Sequence, residues 1–274
     1  MQHILVTGGT GTLGRHVIPQ LHNAGYKVRV LSRSKHEAGE GIEYVIGDLA
    51  TGEGVKVAVE GAEIILHCAG SAAGDEEKAL NLVRATKGSG VRHLVYISVV
   101  GADRVPVKSG VDRAMFSYFA AKRAAERIVI DSGLPWTILR ATQFHDLLLT
   151  FAQTLTKLPV VPVFAGFRFQ PVDAADVADR LVQLTLGKPA GLVPDLGGPR
   201  VYTMADLMRS YLRANHQRRL IMPLWLPGQA ARAHRAGANL TLDHADGKRT
   251  WEEFLTARLG LSQSGLPNVV PTEP

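Results

Sequence analysis

Tyr118 and Lys122 stand four residues apart in the run SYFAAKRAAERIVIDSG, a spacing that sets a phenol and an ammonium on one face of a helix. A free phenol, with a pKa of about 10, is a sluggish proton donor or base unless a nearby cation favours its ionised form. Paired in this way, the two side chains can pass a proton to or from an oxygen atom of a bound molecule. Ser98, at the carboxyl end of the apolar run HLVYIS, adds a hydroxyl able to donate to that oxygen as it gains negative charge. Each residue type is common, so the chemistry depends on what holds a reactant beside them.

The start of the chain supplies that second component. The run HILVTGGTGTLGRHVIPQL joins a β-prone segment, His3 to Thr7, to an amphipathic one, Leu13 to Leu21, through Gly8, Gly11 and Gly14. Between a strand and a helix, Gly8 permits the sharp turn and Gly14 lets the helix pack closely on the strand. Gly11 removes the side chain that would keep backbone from a pyrophosphate. The N–H groups of the helix start, at Thr10, Thr12 and Leu13, then face the phosphates together with the positive end of the helix dipole.

The elements that must position these groups alternate. Strands are predicted at His3–Thr7, Lys27–Leu31, Glu43–Ile46, Glu63–His67, His93–Ser98 and Trp136–Arg140, with helices between them that include Glu76–Lys87 and Asp112–Ile130. Right-handed crossovers make this an α/β fold with a doubly wound parallel sheet. Ligands of such sheets lie outside the carboxyl ends of the strands, which directs attention to the residue after each one.

After the second strand, no carboxylate stands where one would hold a ribose diol. Arg33, beside Ser32, offers a planar cation to a 2′-phosphate or an adenine ring, which favours NADP(H) over NAD(H). Arg29 either assists or faces solvent from within its strand. After the third strand, Asp48, followed by Leu49, either accepts from the adenine amino group or caps the next helix. After the fourth, Cys68, Ala69 and Gly70 are small enough to let a ribose lie against backbone, and Cys68 reads as a buried small hydrophobe rather than a nucleophile.

After the sixth strand, Gln143, Phe144 and His145 fall near the nicotinamide end. Phe144 can wall a pocket for a planar substrate, and His145 is either a second proton donor or simply the opening of the next helix. Arg168 to Pro171 predicts a short strand, Asp173 the N-cap of a helix to Leu186, and Asp176 a favourable charge in its first turn. The segment RRLIMPLWLPGQAARAHRAGANL predicts a small C-terminal substrate-covering region in which Met222, Leu224, Trp225 and Leu226 line an apolar pocket; a membrane-surface helix is the alternative.

Composition sets the remaining bounds. The 274 residues read as one unit over 1–260, with a cofactor part over about 1–140, a substrate side over about 141–260 and a loose tail at 261–274. The single Cys68 excludes an intrachain disulfide, and Met1-Gln2 runs straight into a strand, so a cytoplasmic location is expected. The apolar stretch Leu158 to Phe169, broken by Pro159 and Pro162, is too short to span a bilayer. The net charge of +6 comes mainly from the C-terminal third, including Arg209, Arg213, Arg218, Arg219, Arg232 and Arg235. Without interleaved aromatics these read as solvated faces rather than a nucleic-acid site. A small-molecule substrate is expected, with no nucleic acid, membrane or metal, in a monomer or homodimer.

Taken together, TGGTGTLG, YISVVGAD, Tyr118-x-x-x-Lys122 and QPVDAADVA at 170–178 resemble the short-chain dehydrogenase/reductase superfamily. Within it the chain resembles the atypical, NmrA-like branch of NAD(P)H-binding proteins, which holds isoflavone-reductase-like enzymes and redox-sensing regulators. The resemblance covers about residues 1–260. It implies a Rossmann fold, NADP(H) held around Gly8, Gly11, Gly14 and Arg33, and catalysis by Ser98, Tyr118 and Lys122, with Lys122 also on the nicotinamide ribose. The expected activity is NADPH-dependent reduction of a small apolar carbonyl, enone or quinone by hydride transfer. Its rivals are a non-catalytic NADP(H) sensor or regulator and an NAD-dependent sugar-nucleotide epimerase. Two features depart from the superfamily pattern. HCAG replaces a pair of asparagines, with Asn81 as the available helix asparagine, and the Gly101–Ser117 loop is long enough to act as a lid or to reset the depth of Tyr118.

Overall fold

A computed structural model describes residues 3–260 apart from 38, 40, 72 and 73; the predicted tail at 261–274 lies outside the described residues. The first half alternates as predicted: β1 (His3–Thr7), α1 (Gly14–Asn23), β2 (Lys27–Ser32), β3 (Ile42–Ile46), α2 (Val55–Val59), β4 (Ile64–His67), α3 (Asp75–Ala85), β5 (His93–Val99), α4 (Gly110–Ile130) and β6 (Trp136–Ala141). The second half carries α5 (His145–Leu155), β7 (Val160–Phe164), β8 (Arg168–Phe169), α6 (Ala174–Leu186), β9 (Gly191–Leu192) and β10 (Tyr202–Thr203). It closes with α7 (Met204–Ala214), β11 (Leu220–Leu224), α8 (Gln229–Arg235) and α9 (Trp251–Leu259).

The main sheet has seven strands in the order β3-β2-β1-β4-β5-β6-β9, every pair parallel. Winding runs outward one way from β1 and the other way from β4, so the switch point falls between them, where an open α/β sheet binds its ligand. Period-two alternation sorts the strand side chains onto two faces. Val6, Val30, Leu66 and Val95 face α1 and α6 through Val17, Leu21, Val177 and Leu181. Leu5, Ile65, Leu94 and Tyr96 face α2, α3 and α4 through Ala58, Leu82, Ala125 and Val129. Both faces are covered, which is why these strands read as continuous apolar runs.

Two small sheets lie outside the main one, β8 antiparallel to β10 and β7 parallel to β11. Asp173 is the N-cap of α6, its carboxylate accepting from Ala175 N–H, as its position predicts. The C-terminal segment covers α4: Asp112 sits fully buried in the capping box that starts α4 and also accepts from Ala230 N–H at 3.1 Å, joining α8 to α4. No helix among the described residues is long and apolar enough to cross a membrane.

The loop before α4 is shorter than predicted, because α4 begins at Gly110, and ion pairs tie it to the sheet. Arg140 reaches Asp103 at 2.9 Å, Arg104 reaches Asp195 at 3.1 Å, and Ser109 caps α4.

Candidate active site

The switch point is built from two loops in contact. Thr7 and His67 end β1 and β4 at the same register, and Thr7 Oγ1 shares a hydrogen bond of 2.6 Å with His67 Nδ1. Gly8 follows with φ of +71°, and a Cβ there would lie 2.6 Å from Ala69 N, so no other residue fits between the loops. A Cβ at Gly14 would lie 2.1 Å from Gly9 O, so the start of α1 packs closely on the loop that leaves β1 rather than on the strand itself. Gly9 is constrained by side chains rather than backbone: its Cβ would meet Val30 Cγ1 at 2.5 Å and Ile18 Cδ1 at 2.8 Å. Gly11 differs, since the nearest atom to its Cβ would be Gly8 O at 3.2 Å.

α1 opens without a side-chain cap, Leu13 being its buried N-cap residue. The N–H groups of Thr12, Leu13 and Gly14 find no acceptor among the described residues. An exposed loop bounded by glycine backbone, with free N–H groups at the positive end of a helix, fits a pyrophosphate. Arg15 steadies this loop through Thr12 O at 3.3 Å and reaches Asp146 at 3.5 Å.

Around this cradle the predicted cofactor residues divide. Arg33 is exposed just past β2 and makes no ion pair or hydrogen bond with the described residues, while Ser32 is buried and accepts from Ser34 N–H. Arg29 is not available to a ligand: it pairs with Glu43 at 2.9 Å and donates to the carbonyls of Ala58 and Glu60. Asp48 does not cap α2, whose N-cap is Gly54; its Oδ1 accepts from Ala50 N–H at 2.8 Å in a local turn, beside buried Leu49. Cys68 is part-buried rather than buried as predicted, and desolvation still pushes its thiol up to about 12, against a smaller opposing effect of Lys122, so it stays protonated. Gly70 abuts the lysine directly, with Lys122 Nζ 3.3 Å from where its Cβ would stand.

Lys122 is 3 % exposed and its ammonium is surrounded. Nζ lies 3.1 Å from Asp75 Oδ2, donates to Ile97 O at 3.2 Å and to Tyr96 Oη at 3.3 Å, and sits 5.9 Å from the centroid of the Tyr118 ring. Burial works against its charge, but Tyr96, Tyr118 and Asp75 together raise its pKa, so it remains a cation. Burial pushes Tyr96 up to about 12, leaving a neutral hydroxyl to receive the lysine proton. Burial also raises Tyr118, with Lys122 pulling the other way and Asp75 partly cancelling that pull. Beneath them His67 stacks on Tyr96 at 5.2 Å and is held neutral, its pKa lowered to about 3 by burial first and the charge of Lys122 second.

Ser98 follows Tyr96 by two residues on β5 and therefore shares its α4-facing side. It is 4 % exposed and its Oγ has no hydrogen-bond partner among the described residues. Tyr118, Lys122, Tyr96 and Asp75 are thus gathered at the carboxyl ends of β4 and β5, with Ser98 on the same strand face. Asp75 and Tyr96 were missed in the sequence. Tyr96 left a signal in its parity with Ser98, whereas Asp75 carries none, since α3 meets α4 only through the fold. Asn81 is not part of this group; its amide holds Leu49 O and Ala50 O at 2.9 and 3.2 Å.

The substrate-side residues depart further from expectation. His145 is fully buried, stacked on Phe254 at 4.9 Å and near Trp251 at 6.0 Å, so the reading as the opening of α5 holds and the accessible proton donor is excluded. Gln143 accepts from Gln170 N–H and donates to Asn239 O, bracing the chain after β6. Phe144 packs part-buried against the same core cluster as Cys68. Trp225, 69 % exposed, lies under the Arg235 guanidinium at 3.9 Å. Met222 and Leu224 are exposed with it instead of lining a pocket, and only Leu226 of the predicted four joins the cluster that contains Tyr118.

The parallel doubly wound sheet and its glycine cradle define a dinucleotide-binding Rossmann protein. The NAD(P)H-binding family model matches residues 8–186, and the chain belongs to that family. Over 208 residues it is 29% identical to the (4-alkanoyl-5-oxo-2,5-dihydrofuran-3-yl)methyl phosphate reductase of Streptomyces griseus, covering 74% of this chain and 70% of that one. It is also 29% identical to the ceramide reductase of Caulobacter vibrioides, over 75% of this chain and 68% of that protein. Both of these relatives are named as reductases. The NADPH-dependent quinone oxidoreductase of Escherichia coli, solved with NADPH, shares the fold at a TM-score of 0.75 and 20% identity, covering 93% of this chain and 99% of that one. A Thermus thermophilus UDP-glucose 4-epimerase solved with NAD shares it at 0.64 and 23%, over 90% and 99%.

Proposed function

We propose that the protein is an NADPH-dependent reductase of a small apolar carbonyl, enone or quinone compound, with Tyr118 supplying the proton. The observation that carries this reading is the grouping of Tyr118 with the buried Lys122 cation at the strand ends beside the glycine cradle. Bound NADPH supplies the hydride. The loop through Gly8, Gly11 and Gly14 holds its pyrophosphate, and Arg33, free and exposed, takes the 2′-phosphate. The backbone at Gly70 and the Lys122 ammonium lie where a ribose would rest.

Tyr118 holds its proton at neutral pH because burial raises its pKa, and it is poised to release it because Lys122 stabilises the phenolate left behind. The half-buried Tyr118 can then recover a proton from solvent. Ser98 Oγ, buried without a partner, is able to donate to the substrate oxygen as negative charge develops there. Tyr118 packs part-buried against an apolar cluster that includes Phe116, Phe119, Phe167 and Leu226, which supports an apolar substrate.

One observation favours the sensor reading. Lys122 already donates to Ile97 O and Tyr96 Oη and lies 3.1 Å from Asp75 Oδ2, so a ribose has at most one N–H to share unless one of these contacts is exchanged. Calorimetric titration with NADPH and NADH, followed by loss of reduced-nicotinamide absorbance against quinones, enones and aldehydes, separates the two. Substrate-dependent oxidation supports the reductase; tight binding with no oxidation across the panel favours the sensor.

A further inference from the structure

Strands β7 and β11 pair in parallel from Val160 with Leu220 to Phe164 with Leu224. Ile221 joins the inner cluster with Val161 and Val163, so alternation turns Leu220, Met222 and Leu224 to the opposite face. Those three are 74, 46 and 39 % exposed, and Trp225, the residue just past the strand, is 69 % exposed. An exposed apolar strip along a strand calls for a partner.

Cations frame it. Lys157, Arg218 and Arg219 line one surface cleft with Pro159 and Leu220, and none of the three has an acidic partner among the described residues. Arg213 lines the adjoining cleft with Arg218, and Arg235 covers Trp225 at the far end. Among the described residues, neither cleft has a carboxylate in its lining. A two-fold contact with a second copy must be self-complementary, and nothing in this lining complements its own cations. An anionic lipid surface does, and the combination of exposed apolar side chains with a basic cluster supplies the two signals that reversible membrane attachment needs.

We propose that the outer face of β7 and β11 docks on an anionic bilayer surface, with Leu220, Met222 and Trp225 at the headgroup boundary and Lys157, Arg218 and Arg219 on the lipid phosphates. This departs from the expectation of no membrane partner, and it does not depend on turnover. Beyond Trp225 the chain continues through Leu226 into α8, so docking sets the segment that covers the Tyr118 cluster next to the lipid.

The test is co-sedimentation of the full chain with phosphatidylcholine vesicles, with and without phosphatidylglycerol, read together with tryptophan emission. Of the three tryptophans, Trp251 is fully buried and Trp136 part-buried, so a blue shift on binding reports Trp225. Partitioning is expected to rise at least about tenfold with phosphatidylglycerol and to fall away near about 0.5 M salt. R218E/R219E is expected to return it to the phosphatidylcholine level, and M222S/W225S to abolish it with NADPH affinity unchanged. Three results overturn the proposal: equal partitioning on both vesicle types, no partitioning on anionic vesicles, or a charge-reversed variant that binds as before. So does a lipid-independent blue shift that tracks protein concentration and a doubled mass, which would assign the face to a second copy.

Discussion

Asp75 and Lys122 form a buried ion pair of 3.1 Å in which the carboxylate side chain is 1 % exposed and the lysine side chain 4 %. Asp75 opens α3 and Lys122 lies inside α4, so the pair ties together the two helices that flank the candidate site. Asp75 also accepts from Ser71 N–H and from Lys78, so one carboxylate anchors the loop after β4 as well as the ammonium. The charge beside Tyr118 is therefore held in place by a residue from another element.

Breaking that pair on one side leaves a buried charge without a counter-charge. Asp75→Asn is expected to cost about 3–5 kcal/mol in urea denaturation, and the paired change Asp75→Leu with Lys122→Met clearly less than that. Equal costs for the two variants would deny the coupling.

The glycines separate folding from binding. Gly14→Ala forces a Cβ to within 2.1 Å of Gly9 O and is expected to lower the melting temperature by several degrees or more. Gly11→Ala brings its Cβ only to 3.2 Å from Gly8 O, so its melting temperature should fall much less than that of Gly14→Ala while NADPH affinity drops by at least about tenfold. A loss of melting temperature in Gly11→Ala without loss of affinity would reverse these roles.

Arg33→Ala removes a free, exposed guanidinium. A lost charge-assisted contact to the 2′-phosphate is worth about 1.5–3 kcal/mol, so NADPH should bind more than about tenfold weaker with NADH unaffected. Equal losses for both would place Arg33 on the adenine or elsewhere.

Tyr118→Phe should reduce turnover by about 10²- to 10⁴-fold on a substrate that the parent reduces, with little change in melting temperature. Because burial raises the phenol above its ordinary value of 10.0, parental turnover should stay level from neutral pH up to about pH 10. A fall centred well below that would point to a different donor.

Acid should destabilise the fold through two buried histidines. Burial lowers His234, enclosed by Phe116, Phe119 and Phe167, to about 4, and His67 is lowered to about 3, against an ordinary value of 6.5. The unfolded chain therefore takes up protons first. This contribution to stability is complete above about pH 6.5 and is lost as pH falls towards about 4 for His234 and about 3 for His67, by a few kcal/mol per histidine. Denaturant titrations at neutral pH and near pH 5 should show the loss, and His234→Leu should make the slope shallower by one proton.

The sequence alone determined what local chemistry controls. The first six strands and their order along the chain follow from apolar runs broken by helical periodicity, and the N-cap of α6 follows from one aspartate before an apolar face. The roles of Gly8 and Gly14 were legible because their constraint is steric and set within a few residues. Tyr118 and Lys122 were legible because four residues is the repeat of a helix face.

Tertiary structure decided everything that depends on which elements meet. Asp75 reaches Lys122 only because α3 packs on α4, and Gly9 is confined only because Val30 and Ile18 converge on it. The place of His145 after β6 leaves open a proton donor or the start of a helix, and the choice falls to the aromatic side chains of α9, more than a hundred positions later, which enclose it. Apolarity alone puts Met222 and Trp225 over a pocket, but parallel pairing of β11 with β7 turns Met222 outward and Trp225, just past the strand, is exposed as well. Spacing along a chain encodes periodicity and backbone sterics, while a contact between distant segments is set by the packing of the whole core.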